Sequence, residues 1–193
     1  RERILEDGVL VVLTRACADC RNTSQVLLGN ASATLANLAR HGPSSAKLVD
    51  AGAVEALIGL CTSIDNLQVL NNATMALAHL ASHETCLEVL VQKGLIAQLL
   101  KLVNTCPHVS VGNAAILVLK RLALCNSAAP ELVRRSSITT VLNQLKRSGT
   151  DSEVALHVAE LLATLCRISE HARAELVACG AVKHLLALVD LGR

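Results

Sequence analysis

The sequence predicts an all-α fold, a solenoid of stacked helical repeats, and three observations predict it. Two apolar motifs return with one fixed period. The apolar residues inside them keep helical spacing, as in Leu95, Leu99 and Leu102. The three prolines, Pro43, Pro107 and Pro130, fall between these runs or at helix starts, where a missing N–H costs little.

The first motif reads GAVEALIGL from Gly52, GLIAQLLKL from Gly94, SITTVLNQL from Ser137 and GAVKHLLAL from Gly180, at spacings of 42, 43 and 43 residues. A weaker copy, GVLVVL, starts at Gly8, 44 residues upstream. The second motif reads NASATLANLA at 30–39, NATMALAHLA at 72–81 and NAAILVLKRLA at 113–123, with a degenerate copy at 155–165. Its closing leucines, Leu38, Leu80, Leu122 and Leu165, are 42, 42 and 43 residues apart. Two landmarks sharing one period argue against coincidence.

Taken in order, the chain opens in a partial repeat at 1–40. Complete units follow at 44–82, 84–124 and 127–167, and a second partial repeat occupies 170–193. Each unit reads as a short helix, a turn, a medium helix and a long helix. Gly52, Gly94 and Gly180 each follow a short helix, where a left-handed residue ends one helix and turns the chain into the next. Ser137 takes that place in the third unit, which predicts a different bend there. Three stacked repeats are about the minimum for a stable array. Both termini cut into a repeat without a polar capping helix, so the chain reads as a piece of a longer protein. Its end faces are expected to expose Leu and Val and to invite self-association.

Composition excludes several function classes. Of 193 residues, 52% are hydrophobic and none is Phe, Tyr or Trp, so the core must be aliphatic. Base-stacking nucleic-acid modules and aromatic cages need π-faces that this chain lacks. No apolar run approaches the ~18 residues that span a bilayer. The eight cysteines are scattered through apolar runs, as small buried thiols are. Cys17-Ala-Asp-Cys20 is a lone pair at a helix end, without the strand of a redox motif or the second ligand pair of a zinc site. Cys106-Pro-His108 and His83-Glu-Thr-Cys86 place a thiol near an imidazole, but both fall at inter-helix turns. No phosphate-binding glycine loop is present. Asn22-Thr-Ser, Asn30-Ala-Ser and Asn72-Ala-Thr match the glycosylation rule, but nothing indicates secretion. The expectation is a protein with no catalytic residue, no metal site and no cofactor.

The pattern G-A-[VL]-x-x-L-[VIL]-x-L, followed by a longer helix closing in A-L-x-N-L-A, resembles the armadillo repeat. Residues 30–39 and 44–60 (SSAKLVDAGAVEALIGL) carry the likeness most closely, and it extends over nearly the whole chain. The resemblance implies a right-handed superhelix whose long third helices, here about 21–40, 66–82, 107–124 and 151–167, line a concave groove. Family groove asparagines sit just before the closing Leu-Ala; Asn37, His79, Arg121 and Thr164 hold that position here. One turn earlier, where nuclear-import receptors carry Trp, stand Ala33, Met75, Leu117 and Glu160. Two turns earlier stand Asn30, Asn72, Ala114 and His157, with Asn113 beside them. A groove Asn can clamp one backbone unit of an extended peptide, because its amide both donates and accepts. Asn30, Asn72 and Asn113 also open the alanine-rich half of each long helix, where the alternative role is a cap or a hydrogen bond to the preceding turn. One clamp Asn and no Trp turn the expectation away from nuclear-localisation signals.

Charge adds a direction. Residues 93–147 carry Lys93, Lys101, Lys120, Arg121, Arg134, Arg135, Lys146 and Arg147 against Glu131 alone, a net +7, while 1–92 and 148–190 are each −3. Such a band suits an acidic segment, with Arg121 pairing a carboxylate in a manner similar to the catenins. The alternative reading of Arg134, Arg135, Lys146 and Arg147 is a solvated face near helix ends, where cations complement carbonyl dipoles. The expected function is a non-enzymatic scaffold or adaptor, cytoplasmic or nuclear, that holds an extended or helical acidic segment of another protein. No small-molecule substrate or membrane insertion is expected. A regulator or exchange factor of a small GTPase and a self-associating structural module are the alternatives.

Overall fold

The computed structural model describes residues 8–149, 151–184 and 186; the first seven residues of the opening partial repeat and 187–193 of the closing one lie outside them. Helix is the regular structure throughout the described residues. The chain divides into two compact units, Arg1–Gln98 and Leu99–Arg193.

The first unit contains α1 (Val9–Ala18), α2 (Gln25–Ala39), α3 (Gly42–Asp50), α4 (Ala53–Ser63), α5 (Leu67–Leu80) and α6 (Glu84–Gln92). The division between the units falls within α7 (Leu95–Thr105). The long helices α2 and α5 form the most extensive packing of this unit, and α1 and α4 pack against each other and against them. Fully buried Ala31, Ala39, Ala73 and Ala76 let the backbones approach, and Leu28, Leu35, Leu77 and Leu80 fill the remaining core. Polar side chains start both long helices. Ser24 Oγ accepts from the Leu27 N–H at 3.3 Å and Asn66 Oδ1 from the Val69 N–H at 3.1 Å. Each bond satisfies a helix donor that would otherwise face nothing.

The second unit continues with α8 (Val109–Leu122), a 3₁₀ turn (Asn126–Ala128), α9 (Ala129–Leu132), α10 (Arg135–Ser148), α11 (Ser152–Ile168) and α12 (Glu170–Ala178). The long helices are α8 and α11, which pack together, and α10 covers both. Ile116, Leu119, Leu122, Ile138, Val158 and Leu161 form its core. Asp151 Oδ1 caps α11 through the Glu153 and Val154 N–H groups, at 3.1 and 3.2 Å.

The repeat glycines behave as their position predicts: Gly52, Gly94 and Gly180 have φ of 76°, 71° and 70°. A Cβ disfavours that left-handed geometry, and Ser137 accordingly does not adopt it. The bend moves to Arg134, whose backbone is extended (φ −64°, ψ 142°), so α10 begins before Ser137. Ser137 lies inside the helix, and its Oγ donates to the Glu131 carbonyl at 2.8 Å. The short helix that precedes this bend shrinks to the four residues of α9, with Pro130 in its first turn.

The closing leucines Leu38, Leu80, Leu122 and Leu165 are all buried. Val9, Val11 and Val12 on α1 are exposed in the first unit, and Val177, Val182 and Leu186 in the second. Among the described residues no single helix is long and apolar enough to cross a membrane.

Candidate functional site

In the second unit the last turn of α8 and the facing turns of α11 enclose an open cleft of about 390 Å³ lined by Lys120, Arg121, Leu124, Glu160, Ala163 and Thr164. Helical spacing explains the set. Leu119 and Leu122 point into the core, which leaves Lys120 and Arg121 at its rim; Leu161, Leu162 and Leu165 do the same for Glu160, Ala163 and Thr164. Three residues expected in a groove, Arg121, Glu160 and Thr164, are thus brought to one place. Lys120, expected only as part of the basic band, joins them, as do Leu124 and Ala163, which carried no signal in the sequence.

The two cations of the cleft differ. Lys120 Nζ lies 2.6 Å from Glu160 Oε2 and 3.1 Å from His157 Nδ1. The Lys120 hydrogen bond, foremost, holds the Glu160 carboxyl below its ordinary range. His157 Nε2 also approaches Glu153 Oε1 at 3.7 Å. Arg121 is exposed, and no carboxylate among the described residues pairs with it. Leu124 beside it is 59% exposed, an apolar contact without a cover. Thr164 Oγ1 donates to its own helix, to the Glu160 carbonyl at 2.9 Å. Leu117 is half-buried one turn before the cleft.

In the first unit the corresponding residues lie on α2 and α5. Asn37 and Asn30 are exposed, Met75 is exposed and His79 is half-buried. Burial, then the Arg40 guanidinium at the end of α2, then His83 lower the His79 pKa. A neutral imidazole donates at one nitrogen and accepts at the other, the same dual capacity as an Asn amide. The sign follows directly. The neutral form is favoured by folding, so this contribution to stability is complete above the ordinary histidine range and is lost as pH falls through the folded value. An NMR titration should place His79 below a free histidine, and Arg40→Gln should move it upward.

Asn72 and Asn113 bond to neighbouring segments of the fold and not to the preceding turn of their own helix. Asn72 Nδ2 donates to the Gly29 carbonyl at 3.2 Å and to Ser32 Oγ at 3.3 Å, tying α5 to α2. Asn113 Oδ1 accepts from Gln144 Nε2 at 2.8 Å and Ser148 Oγ at 2.7 Å, while its Nδ2 donates to Asp151 at 3.3 Å. These partners lie roughly one repeat away in sequence, so each amide is used where two helices meet.

The basic band also divides by role. Lys93 pairs with Glu55. The Arg147 guanidinium donates to the Val103 and Cys106 carbonyls, both at 2.8 Å, and so closes the C-terminal end of α7. Lys101, Arg134, Arg135 and Lys146 are exposed. Cys17 and Cys20 are buried, and burial, then Cys20, pushes the Cys17 thiol up to about 11, which keeps it protonated and unreactive at neutral pH. His83 Nε2 approaches the Ala39 carbonyl at 3.1 Å. Among the described residues no cluster of His, Cys, Asp and Glu could hold a metal ion.

Comparison with known proteins locates the fold. No protein-family model matches the sequence, and no curated protein matches it either. Solved structures do. A designed armadillo repeat protein superposes with a TM-score of 0.82 at 23% identity, covering 97% of this chain and 77% of that one. A second designed armadillo repeat protein, in complex with peptide (KR)4, gives 0.82 at 22% identity with the same coverage. An engineered protein gives 0.84 at 28% identity, covering 97% of this chain and 45% of that chain.

Proposed function

From its armadillo-like helical solenoid fold, we propose that this chain is a protein-binding module, and that the Arg121 cleft holds an acidic segment of a partner protein. The observation that carries the polarity is Arg121 itself, an exposed cation that no carboxylate among the described residues pairs with, beside the exposed Leu124. A partner carboxylate would gain a charge-assisted bidentate bond there, and an aliphatic neighbour would cover Leu124. In the first unit, exposed Asn37 and neutral His79 offer donors and acceptors suited to peptide backbone.

The peptide complex of a designed relative supports a peptide as the ligand class. Its (KR)4 ligand is basic, and the opposite polarity proposed here follows from Arg121. Several weak contacts along preformed helices would sum to useful affinity, with no catalytic step. The buried and half-buried cysteines suit a reducing cytoplasm, where we place the protein.

The test uses acidic peptides selected by the protein from a displayed random library. Arg121→Glu should weaken such a peptide by at least about tenfold, the scale of one lost charge-assisted bond, while circular dichroism stays unchanged. Unaltered affinity would remove Arg121 from the site.

A further inference from the structure

Resting on the binding reading above, we infer that the Lys120–Glu160 pair sets the specificity of the cleft: it admits one isolated carboxylate beside an aliphatic side chain and rejects runs of acidic residues.

Two adjacent cations end α8, and alone they would suit a doubly acidic segment. Lys120, however, is already neutralised from inside the chain. Glu160 Oε2 stands 2.6 Å from its Nζ, and His157 Nδ1, 3.8 Å from that same oxygen, accepts from Nζ at 3.1 Å. The Lys120 side chain is largely withdrawn, at 17% exposure, whereas that of Glu160 is 48% exposed. Solvent at this rim therefore meets the carboxylate of the pair more than its ammonium. Glu153, within 3.7 Å of His157, adds a second negative group on the same face of α11. A first partner carboxylate pairs with Arg121. A second one, one or two residues away, would approach Glu160 and be repelled unless it displaced Glu160 from Lys120. Leu124 and Ala163 supply the apolar remainder of the cleft. Glu160 thus acts as an internal stand-in for a partner carboxylate and discriminates against the wrong ligand.

The same displayed random library, panned on wild type, Glu160→Gln and Arg121→Glu, tests this. Wild type should enrich peptides with a single Asp or Glu flanked by Leu, Ile or Val. Synthetic versions with the neighbouring residue changed to Asp should bind it at least threefold more weakly. Glu160→Gln should abolish or reverse that preference. If wild type already prefers the doubly acidic peptides, or if Glu160→Gln leaves the ranking unchanged, the inference is wrong while the acidic-ligand reading stands. If Arg121→Glu enriches the same peptides as wild type, or if wild type enriches no acidic peptide, the underlying reading fails as well.

Discussion

Gly112→Ala is expected to destabilise the second unit by about 2–3 kcal/mol, although alanine is the better helix former by about 1 kcal/mol. A Cβ at Gly112 would lie 2.5 Å from Gln144 Nε2 and 2.7 Å from its Oε1. A flexible side chain would ordinarily step aside, but Gln144 is fully buried and held at both ends. Its Nε2 donates to the Val109 carbonyl at 3.1 Å and to Asn113 Oδ1, and its Oε1 accepts from Arg147 at 3.1 Å. Displacing it breaks buried hydrogen bonds worth about 1 kcal/mol each or more and overpacks the α8–α10 contact. Gly59→Ala is the control. Nothing lies within 4 Å of a Cβ there, so this substitution within α4 should be neutral or stabilising by up to about 1 kcal/mol. Urea denaturation of both variants decides the matter: equal midpoints would mean that Gln144 moves freely.

The second large effect is expected at Leu77, which is fully buried on α5 where it packs against α2. Leu77→Ala should cost about 2–5 kcal/mol, since it removes apolar contacts and leaves a cavity in a core of rigid helices. The core has no aromatic side chain, so there is no large ring whose shift could refill the space. Met75, two residues earlier on the same helix, is 38% exposed. Met75→Ala should therefore change stability by less than about 0.5 kcal/mol, which makes it a clean probe of binding. Thermal unfolding of the pair should show a large loss for Leu77→Ala and almost none for Met75→Ala.

These contrasts also mark how far the fold was legible in the sequence. A period near 42 residues and apolar helical spacing set the helices, because burial of one face is a local, repeated requirement. Gly52, Gly94 and Gly180 announced left-handed turns, and Ser137 announced a departure from them, since a Cβ opposes positive φ. Burial of Leu38, Leu80, Leu122 and Leu165 followed from the same register. What the sequence concealed was the pairing of polar groups across repeats. Asn72 and Asn113 occupy similar positions, yet their roles depend on which atoms the neighbouring helix presents, Gly29 and Ser32 for one, Gln144, Ser148 and Asp151 for the other. Gln144, buried opposite Gly112, carried no signal beyond an interior helical glycine.

The armadillo resemblance put Arg121 and Thr164 just before the closing leucines and Glu160 one turn earlier, and these three line one cleft. Charge counting alone could not separate Arg121, which no carboxylate among the described residues pairs with, from Lys93, Lys120 and Arg147, which are engaged by Glu55, by Glu160 and by backbone carbonyls. That distinction depends on distances between helices. It also shows why a net +7 over residues 93–147 overstates the charge offered to a partner.

Amide chemical-shift mapping with a selected acidic peptide examines the Arg121 cleft most directly. Titration should perturb Lys120, Arg121, Leu124, Glu160, Ala163 and Thr164 first and most strongly, and Arg121→Glu should erase those changes. Saturable binding that leaves these six amides unmoved, with shifts confined to other surfaces, would contradict the assignment of this cleft.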